Sequence, residues 1–462
     1  MTQARRPPSR HSKYKGVAYI AAVPLLVFLM VWAVMPRHGQ YDAVRNSSFS
    51  RSRLSNEPES SFAVVIDAGS TGSRVHIFKF VRRGSGGPLE LEFDKFEQRK
   101  PGLSAHSDSP TEAADSLRPL LDLAAETVPP ELHRDTPIVV GATAGLRLLP
   151  GSKAEDILQA IRVLLKEEYR FAAGADSVSI LSGANEGAFA WLTLNYLLGH
   201  LGSPEADTVA AIDLGGGSVQ EAFALTPLEA LAAPDPSYVT ALQGNGRAYK
   251  VYVHSYLGYG LMAARAGILK EGAREGLEAH PCVLAGHSGT YDYAGESHAM
   301  RGRPEGVDGF AACEAVVVRA LRQEKQDCKA PALQCTFDGV WGGARTPQAF
   351  YISSYFWDRA ADAGLLPSED AIQHLLKPSR FGELAQRACA AGGEADLGRE
   401  FPRVQEALRP FLCLDLVYVH ALLTRGFKVP EEASVTLVKK VEYKREKVEA
   451  AWPLGAAINL LG

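Results

Sequence analysis

A short pattern occurs twice in the chain, and its repetition limits the folds available to it. FAVVIDAGSTGS (62–73) and TVAAIDLGGGSV (208–219) each run from an apolar strand into an Asp, a glycine-rich turn and a Ser. The two acidic residues, Asp67 and Asp213, lie 146 positions apart with unrelated sequence between them. A repeat at that distance indicates two similar lobes rather than a solenoid. With 462 residues the chain exceeds one ordinary core and suits two lobes plus an anchor.

The segments between the repeats alternate in type. Ile138–Thr143 is a short apolar strand running into a loop. Ser152 and Glu155 have the spacing of a capping box, and Ile157, Ile161, Leu164 and Leu165 follow at helical spacing. Val178–Leu181 leads through a polar turn at Ser182–Asn185 into a helix expected to run to about Leu198, closed by Gly199. Strands alternating with helices predict an α/β architecture. Residues 226–430 are less regular and read as long loops and helices. Alternation resumes at Val435 and Leu437, then at Val441 and Tyr443.

The N-terminus follows other rules. Arg5, Arg6, Arg10, Lys13 and Lys15 precede an uncharged stretch over 16–36, long enough for a membrane-spanning helix of about 20 residues. A cleaved signal peptide would have a shorter apolar core, roughly 7–15 residues, ending in small side chains. This run ends in Trp32, Met35 and Pro36, so an uncleaved signal anchor is expected, with the basic flank in the cytosol. Residues 1–15 then form a cytosolic tail and 37–61, rich in Ser, Arg and Asn, a stalk. Asn46 opens a glycosylation sequon just beyond the anchor. All six cysteines lie in the C-terminal half, and an even number in an oxidising compartment reads as three disulfides. Zinc is the alternative, opposed by the lack of a C-x-x-C pair and of His at ligand spacing. The net charge of −4 and the lack of a dense Lys/Arg face exclude nucleic acid as an expected partner.

The chemistry is expected at the repeated turns. Glycines let backbone N–H groups approach an anion, small hydroxyls add donors, and an Asp at the strand end suits a hydrated Mg²⁺ or Ca²⁺. Two such loops facing each other would clamp a phosphate chain. For either loop alone, a tight strand-to-strand turn is an equal explanation. Glu186, in the first turn of its helix, is a candidate base for a water aimed at phosphorus. The plain alternative is a Glu that complements the helix dipole, worth about 0.3–1 kcal/mol. Gln220, two residues after Ser218, is a candidate partner for that water; alternatively it is a polar strand position.

Five segments in this order resemble the apyrases, or nucleoside triphosphate diphosphohydrolases, of the ecto- and Golgi nucleotidase family. They are DAGSTGSRVHIFKF (67–80), GATAGLRLL (141–149), LSGANEGAFAWLTLNYLLG (181–199), AAIDLGGGSVQEAFAL (210–225) and VEAAWPLGAAINLL (448–461). Together with the single anchor they look most like plant-type apyrases. The resemblance implies two ribonuclease-H-like lobes of the actin, hexokinase and chaperone-ATPase superfamily, behind one N-terminal transmembrane helix. Lobe I would comprise 62–182 and 435–462, and lobe II 183–434. By motif position Glu186 matches the catalytic base, and Ser218 and Gln220 the residues that hold the nucleophilic water. Asp67, Asp213 and Thr143 match groups around a divalent cation, Ca²⁺ or Mg²⁺, bound through its waters. Ser70, Thr71, Gly72, Ser73 and Arg74, with Gly215, Gly216 and Gly217, match the phosphate-binding loops. The resemblance also suggests disulfides Cys328–Cys335 and Cys389–Cys413, which leaves Cys282–Cys313. Tyr351 in AFYISSYFW is the candidate for nucleobase stacking, against the alternative of a core residue in a helix. Trp452 is expected to pack the C-terminal return segment against lobe I.

The expected activity is cation-dependent hydrolysis of terminal phosphates from nucleoside di- or triphosphates, in the secretory lumen or outside the cell. An exopolyphosphatase and a non-catalytic nucleotide receptor on the same scaffold are the alternatives. The Golgi is the expected compartment, with the plasma membrane and endoplasmic reticulum as alternatives. Base preference and oligomeric state are not legible.

Overall fold

The computed structural model describes residues 59–69, 71–84, 87–322, 335–344, 347 and 349–462. The anchor at 16–36, most of the stalk, Asn46, Ser70 and Cys328 lie outside the described residues. The described residues belong to one compact unit, Asn56–Gly462.

The first repeat opens a five-stranded sheet of β1 (Glu59–Ala68), β2 (Ser73–Arg82), β3 (Leu89–Arg99), β4 (Ile138–Ala142) and β5 (Val178–Ile180). Its order is β3-β2-β1-β4-β5. β1 to β3 are antiparallel, whereas β4 and β5 run parallel to β1. The second repeat opens a larger sheet with β6 (Ala210–Leu214), β7 (Ser218–Leu225), β8 (Val239–Gly244) and β9 (Arg247–Leu257). A hairpin of β10 (Ser288–Tyr293) and β11 (Glu296–Arg301) stands apart. The sheet is completed by β12 (Phe350–Ser354), β13 (Gln373–Leu376) and β14 (Val435–Val438), in the order β13-β14-β12-β6-β7-β9-β8. A last hairpin pairs β15 (Lys440–Tyr443) with β16 (Glu446–Glu449).

Stripped of its two edge strands, the larger sheet reads β9-β7-β6-β12-β14, and β6, β12 and β14 are again parallel. The five-strand arrangement therefore occurs twice, and both Asp–Gly–Ser turns are the first hairpin of their sheet. This is the expected two-lobed α/β fold of the actin, hexokinase and chaperone-ATPase superfamily. Helices cover the sheets, and three large clusters of buried apolar side chains fill the layers between.

Several sequence expectations need correction. AFYISSYFW does not lie in one helix: Phe350–Ser354 is an interior strand and only Tyr355–Asp362 is helical. The strand, Phe-Tyr-Ile-Ser-Ser, is too short to show a clear alternation, and its place between two parallel strands is what makes it a strand. Val435–Val438 pairs with β12 in the larger sheet, so the return toward the smaller sheet begins after that strand rather than at 435. Ser152 precedes the helix Lys153–Glu168 but forms no capping box, because its hydroxyl donates to the Asp156 carboxylate. The apolar helical run Glu406–Gly426 is long enough to cross a membrane by composition, yet most of it is buried inside the protein.

Cys282–Cys313 and Cys389–Cys413 are disulfides, as expected, and Cys335 is also disulfide-bonded. A buried ionic cluster joins three helices: Asp415 accepts from Arg265 Nε at 2.8 Å and from Arg359 Nη1 at 3.0 Å. It fixes the helices Leu261–Arg274 and Tyr355–Asp362 relative to Leu412–Ala421, and the first two carry parts of the site described below.

The C-terminal helix Trp452–Leu461 lies against both β1 and the helix Gly183–Leu197. Thr193 ties the two helices, donating to Ala451 O and accepting from Gly455 N, each at 2.8 Å. Gly455 lies so close that a Cβ there would sit 2.1 Å from the Phe189 carbonyl oxygen. Gly455→Ala should therefore push the helices apart and cost about 1–3 kcal/mol, the usual penalty for overpacking. Urea unfolding of the variant against the parent protein measures it.

Candidate active site

The two turns are built alike. Asp67 and Asp213 are near the ends of β1 and β6, and Ser73 and Ser218 begin the strands that return. Gly69 N donates to Gly72 O, and Gly215 N to Ser218 O, both at 3.0 Å. In the second turn the carbonyls of Gly215 and Gly216 accept from N–H groups of Leu261, Met262 and Ala263, at the start of the helix Leu261–Arg274. A trans peptide sets each carbonyl opposite the following N–H, so the amides of Gly216 and Gly217 point away from that helix. Bare glycine is required here: a Cβ on Gly217 would lie 2.7 Å from Ala144 Cβ, in the turn after β4, and 3.2 Å from the Tyr293 hydroxyl.

Three expected residues meet directly. Gln220 Nε2 lies 2.7 Å from Ser218 Oγ and 3.2 Å from Glu186 Oε2. It also lies 3.0 Å from Ser255 Oγ on β9, directly across the ladder, and its two N–H groups serve two of these acceptors at a time. The helix that presents Glu186 is capped by Ser182, whose hydroxyl accepts from Asn185 N at 3.1 Å. Glu186 does not turn back to the helix backbone; it takes a hydrogen bond and ion pair from Arg147 of the smaller lobe. Burial pushes the Glu186 carboxyl up to about 8, with Arg147 opposing and the charges of Asp213 and Asp67 adding to the rise.

The other two carboxylates are shielded as well. Burial raises Asp67, opposed by Arg74, whose Nη1 is 3.4 Å from Oδ2, and by His76. Burial likewise raises Asp213, opposed by hydroxyls of Ser354 and Ser353 that donate to Oδ1. Ser354 holds φ at 60°, a left-handed backbone that a non-glycine residue adopts at a cost of about 1–3 kcal/mol. It is the last residue of β12 and pairs with Leu214, whereas Thr143 comes one residue after the end of β4, so the two hydroxyl residues lie one register position apart beside their Asp-bearing strands. Thr143 is buried, and its N–H donates to Ala68 O at 3.2 Å, next to Asp67.

The site suits a cation held through its waters. The Trp452 indole lies close enough to Asp67 to help hold its carboxyl down, and the charges of Asp213 and Asp67 already lift the Glu186 carboxyl. Among the described residues no three His, Cys, Asp or Glu side chains converge to hold a metal directly.

Among the remaining expected residues, Ser73 is buried with its hydroxyl unpartnered, Gly72 is buried under the Arg99 carbonyl, and Thr71 is exposed. Tyr351 does not sit on an open loop: it occupies the middle of β12 between Ala211 and Thr436, packed against a core cluster. Trp452 is buried and fills the space over Gly141, where a Cβ would lie 2.6 Å from its ring, which matches its expected packing role. Sequence reasoning missed Arg147, Ser255, Ser353 and Ser354. Arg147 lies within a quoted segment, GATAGLRLL, and a buried-site Glu with no nearby cation in sequence was the signal that could have found it.

Two glycine turns, each with its carboxylate, accompany a shielded Glu–Gln–Ser cluster, and this sets the chain among the two-lobed α/β enzymes of the actin-like fold. Comparison with known proteins narrows it. The chain matches the GDA1/CD39 (nucleoside phosphatase) family over residues 53–462. It is 44% identical to Apyrase 1 of Arabidopsis thaliana, covering 86% of this chain and 84% of that one. It is 38% identical to the apyrase of Solanum tuberosum, over 95% and 96% of the two chains. A crystal structure titled as nucleoside triphosphate hydrolases from Neospora caninum superposes with a TM-score of 0.61 at 16% identity, covering 87% of this chain and 92% of that one, and shares the fold. The chain belongs to the GDA1/CD39 family of nucleoside phosphatases, a divalent-cation-dependent family.

The raised Glu186 carboxyl has a sign that can be tested without substrate. Below about pH 4.5 both folded and unfolded chains hold the proton. From there to about pH 8 only the unfolded chain releases it, so this group's contribution to stability declines across that window. Glu186→Gln stays neutral throughout. In a pH series of urea unfolding in EDTA, its stability relative to the parent should rise between pH 4.5 and 8 and level off beyond.

Proposed function

We propose that the protein hydrolyses the terminal phosphate of nucleoside di- and triphosphates by direct attack of water, with Glu186 as general base. The observation that carries this is the contact of Glu186, Gln220 and Ser218 between two carboxylate-bearing glycine turns. In the turn that Gly215 opens, the Gly216 and Gly217 amides bind phosphate oxygens, together with the Ser73 and Arg74 side chains and with Ser70 and Thr71 of the first turn. Gln220 and Ser218 position the water, and Glu186 accepts its proton as the new oxygen–phosphorus bond forms. The bridging oxygen–phosphorus bond breaks, and the shortened nucleotide leaves with its electron pair. The Ser218 hydroxyl meets an amide rather than a base, which suits it to hold water and not to attack phosphorus. Asp67, Asp213 and Thr143 would surround a Ca²⁺ or Mg²⁺ through its waters, and that ion supplies charge neutralisation and orientation of the phosphates.

We further read residues 16–36 as a signal anchor and the enzyme as facing the secretory lumen or cell exterior, with the Golgi as the compartment. Residues 62–182 and the segment after β14 form one lobe, and 183–438 the other. Tyr351, packed inside β12, serves the core rather than the nucleobase.

Phosphate release from ATP, ADP, UDP, GDP, AMP and inorganic polyphosphate, with Ca²⁺ or Mg²⁺ and then with chelator, tests this. Cation-dependent release from the di- and triphosphates with AMP untouched is the expected outcome. Release from polyphosphate alone would make the protein an exopolyphosphatase, and no release by folded protein would make it a binding protein. Glu186→Ala should lower kcat by about 10²–10⁴-fold with KM nearly unchanged. Arg147 holds the Glu186 carboxyl down, so Arg147→Gln should shift the acidic limb of the kcat/KM profile to higher pH. An unshifted profile would reduce Arg147 to a structural tie.

A further inference from the structure

The face of the larger sheet that carries Ser218 and Gln220 carries a third polar residue. Side chains alternate along a strand, so Ser218 and Gln220, two apart on β7, share one face. Ser255 on β9 stands directly opposite Gln220 on that same face and is half-buried. The helix Gly183–Leu197 lies on this face with no room to spare. A Cβ on Gly187 would sit 2.8 Å from Val253 Cγ1 and 3.1 Å from Gln220 Cβ. One on Gly183, a turn earlier, would sit 2.2 Å from Ser255 Oγ and 3.0 Å from Arg147 Nη1. These two bare positions let the first turn of the helix, with Glu186 in it, close over Gln220 and Ser255.

The side-chain hydrogen bonds of Gln220 all leave from one atom. Its Nε2 reaches Ser218 Oγ at 2.7 Å, Ser255 Oγ at 3.0 Å and Glu186 Oε2 at 3.2 Å. An amide oxygen turned to this side would meet Glu186 Oε2, which already takes the Arg147 hydrogen bond, acceptor against acceptor, so the nitrogen belongs here. Oε1 is thereby turned away from all three groups and is left to accept from water. A single acceptor on Nε2 would leave the amide free to rotate about its last bond. Two acceptors, one for each N–H, fix its plane, and the two shortest contacts are the hydroxyls of Ser218 and Ser255.

We propose that Ser255 is a positioning residue of the hydrolytic site. It takes one N–H of Gln220 while Ser218 takes the other, and so holds the amide with Oε1 toward the attacking water. The proposal rests on the reading in which Gln220 positions that water. It also gives the hydroxyl a use that packing does not require, since an alanine would fit equally well beneath Gly183.

The test is a double-mutant cycle on the full-length protein, with ATP and ADP as substrates and melting temperatures to show that each variant is folded. Ser255→Ala should lower kcat about tenfold and move KM less than about twofold, as for one lost hydrogen bond that counts in the transition state. Gln220→Ala should lower kcat further. Adding Ser255→Ala to it should then change nothing more, because the hydroxyl has lost the amide through which it acts. Ser255→Cys, with a weaker acceptor in a similar volume, should give a smaller loss that also vanishes in the Gln220→Ala background, and it carries the cycle if Ser255→Ala does not fold. An unchanged kcat in the Ser255 variants, or the same loss with and without Gln220, would overturn the proposal and leave Ser255 as packing under the helix. The underlying reading fails separately: an unchanged kcat in Gln220→Ala would remove Gln220 from the water, and no phosphate release by the parent protein would remove the nucleotidase itself.

Discussion

Asp67, Glu186 and Asp213 each sit where burial works against their charge, and each also feels at least one other carboxylate nearby. Such an arrangement is unfavourable unless cations, donors and rigid backbone hold it together. The surrounding structure supplies those groups: Arg74 beside Asp67, Arg147 beside Glu186, and two serine hydroxyls on Asp213. The remaining repulsion is what a divalent ion and the phosphate loops that accompany it would use.

The doubled sheet is the means of bringing these groups together. Each lobe carries an Asp one residue before the end of its first strand, turns through glycines, and sends a parallel strand alongside; Ser354 closes that strand in one, and Thr143 comes just after it in the other. Two copies of one hairpin therefore give two turns of like construction without further design. What differs is the support behind them. The second turn leans on the helix Leu261–Arg274, which the Asp415 cluster anchors, whereas the first is covered by the C-terminal segment through Trp452. Glu186 belongs to neither hairpin; a separate helix delivers it, and Arg147, in the short helix after β4, reaches it from the end of the smaller sheet.

Much of this was legible before any coordinates. Strong local signals gave the two turns: apolar strands, Asp, consecutive glycines and Ser in fixed order. The cap at Ser182 and the helix after it were equally local. In the irregular middle the β8–β9 hairpin carries a signal of its own, an Asn245-Gly246 turn followed by Tyr249, Val251 and Val253, whereas β12 owes its strand character to neighbours distant in sequence. Tyr351 was misplaced for the same reason: an aromatic residue in a short apolar run gives no sign of whether it faces a groove or a packed layer.

By itself the sequence determined the repeated Asp–glycine–Ser turns and the α/β class, because each is set by residue types at short spacing; its resemblance to the nucleotidase family, not spacing alone, singled out Asp67, Asp213, Glu186, Ser218 and Gln220. Tertiary structure alone decided the partners of those groups. Arg147 on Glu186 and Ser354 on Asp213 join positions 39 and 141 residues apart. Such pairs are set by how sheets and helices pack, and packing depends on the summed fit of many buried surfaces that no short stretch of sequence encodes.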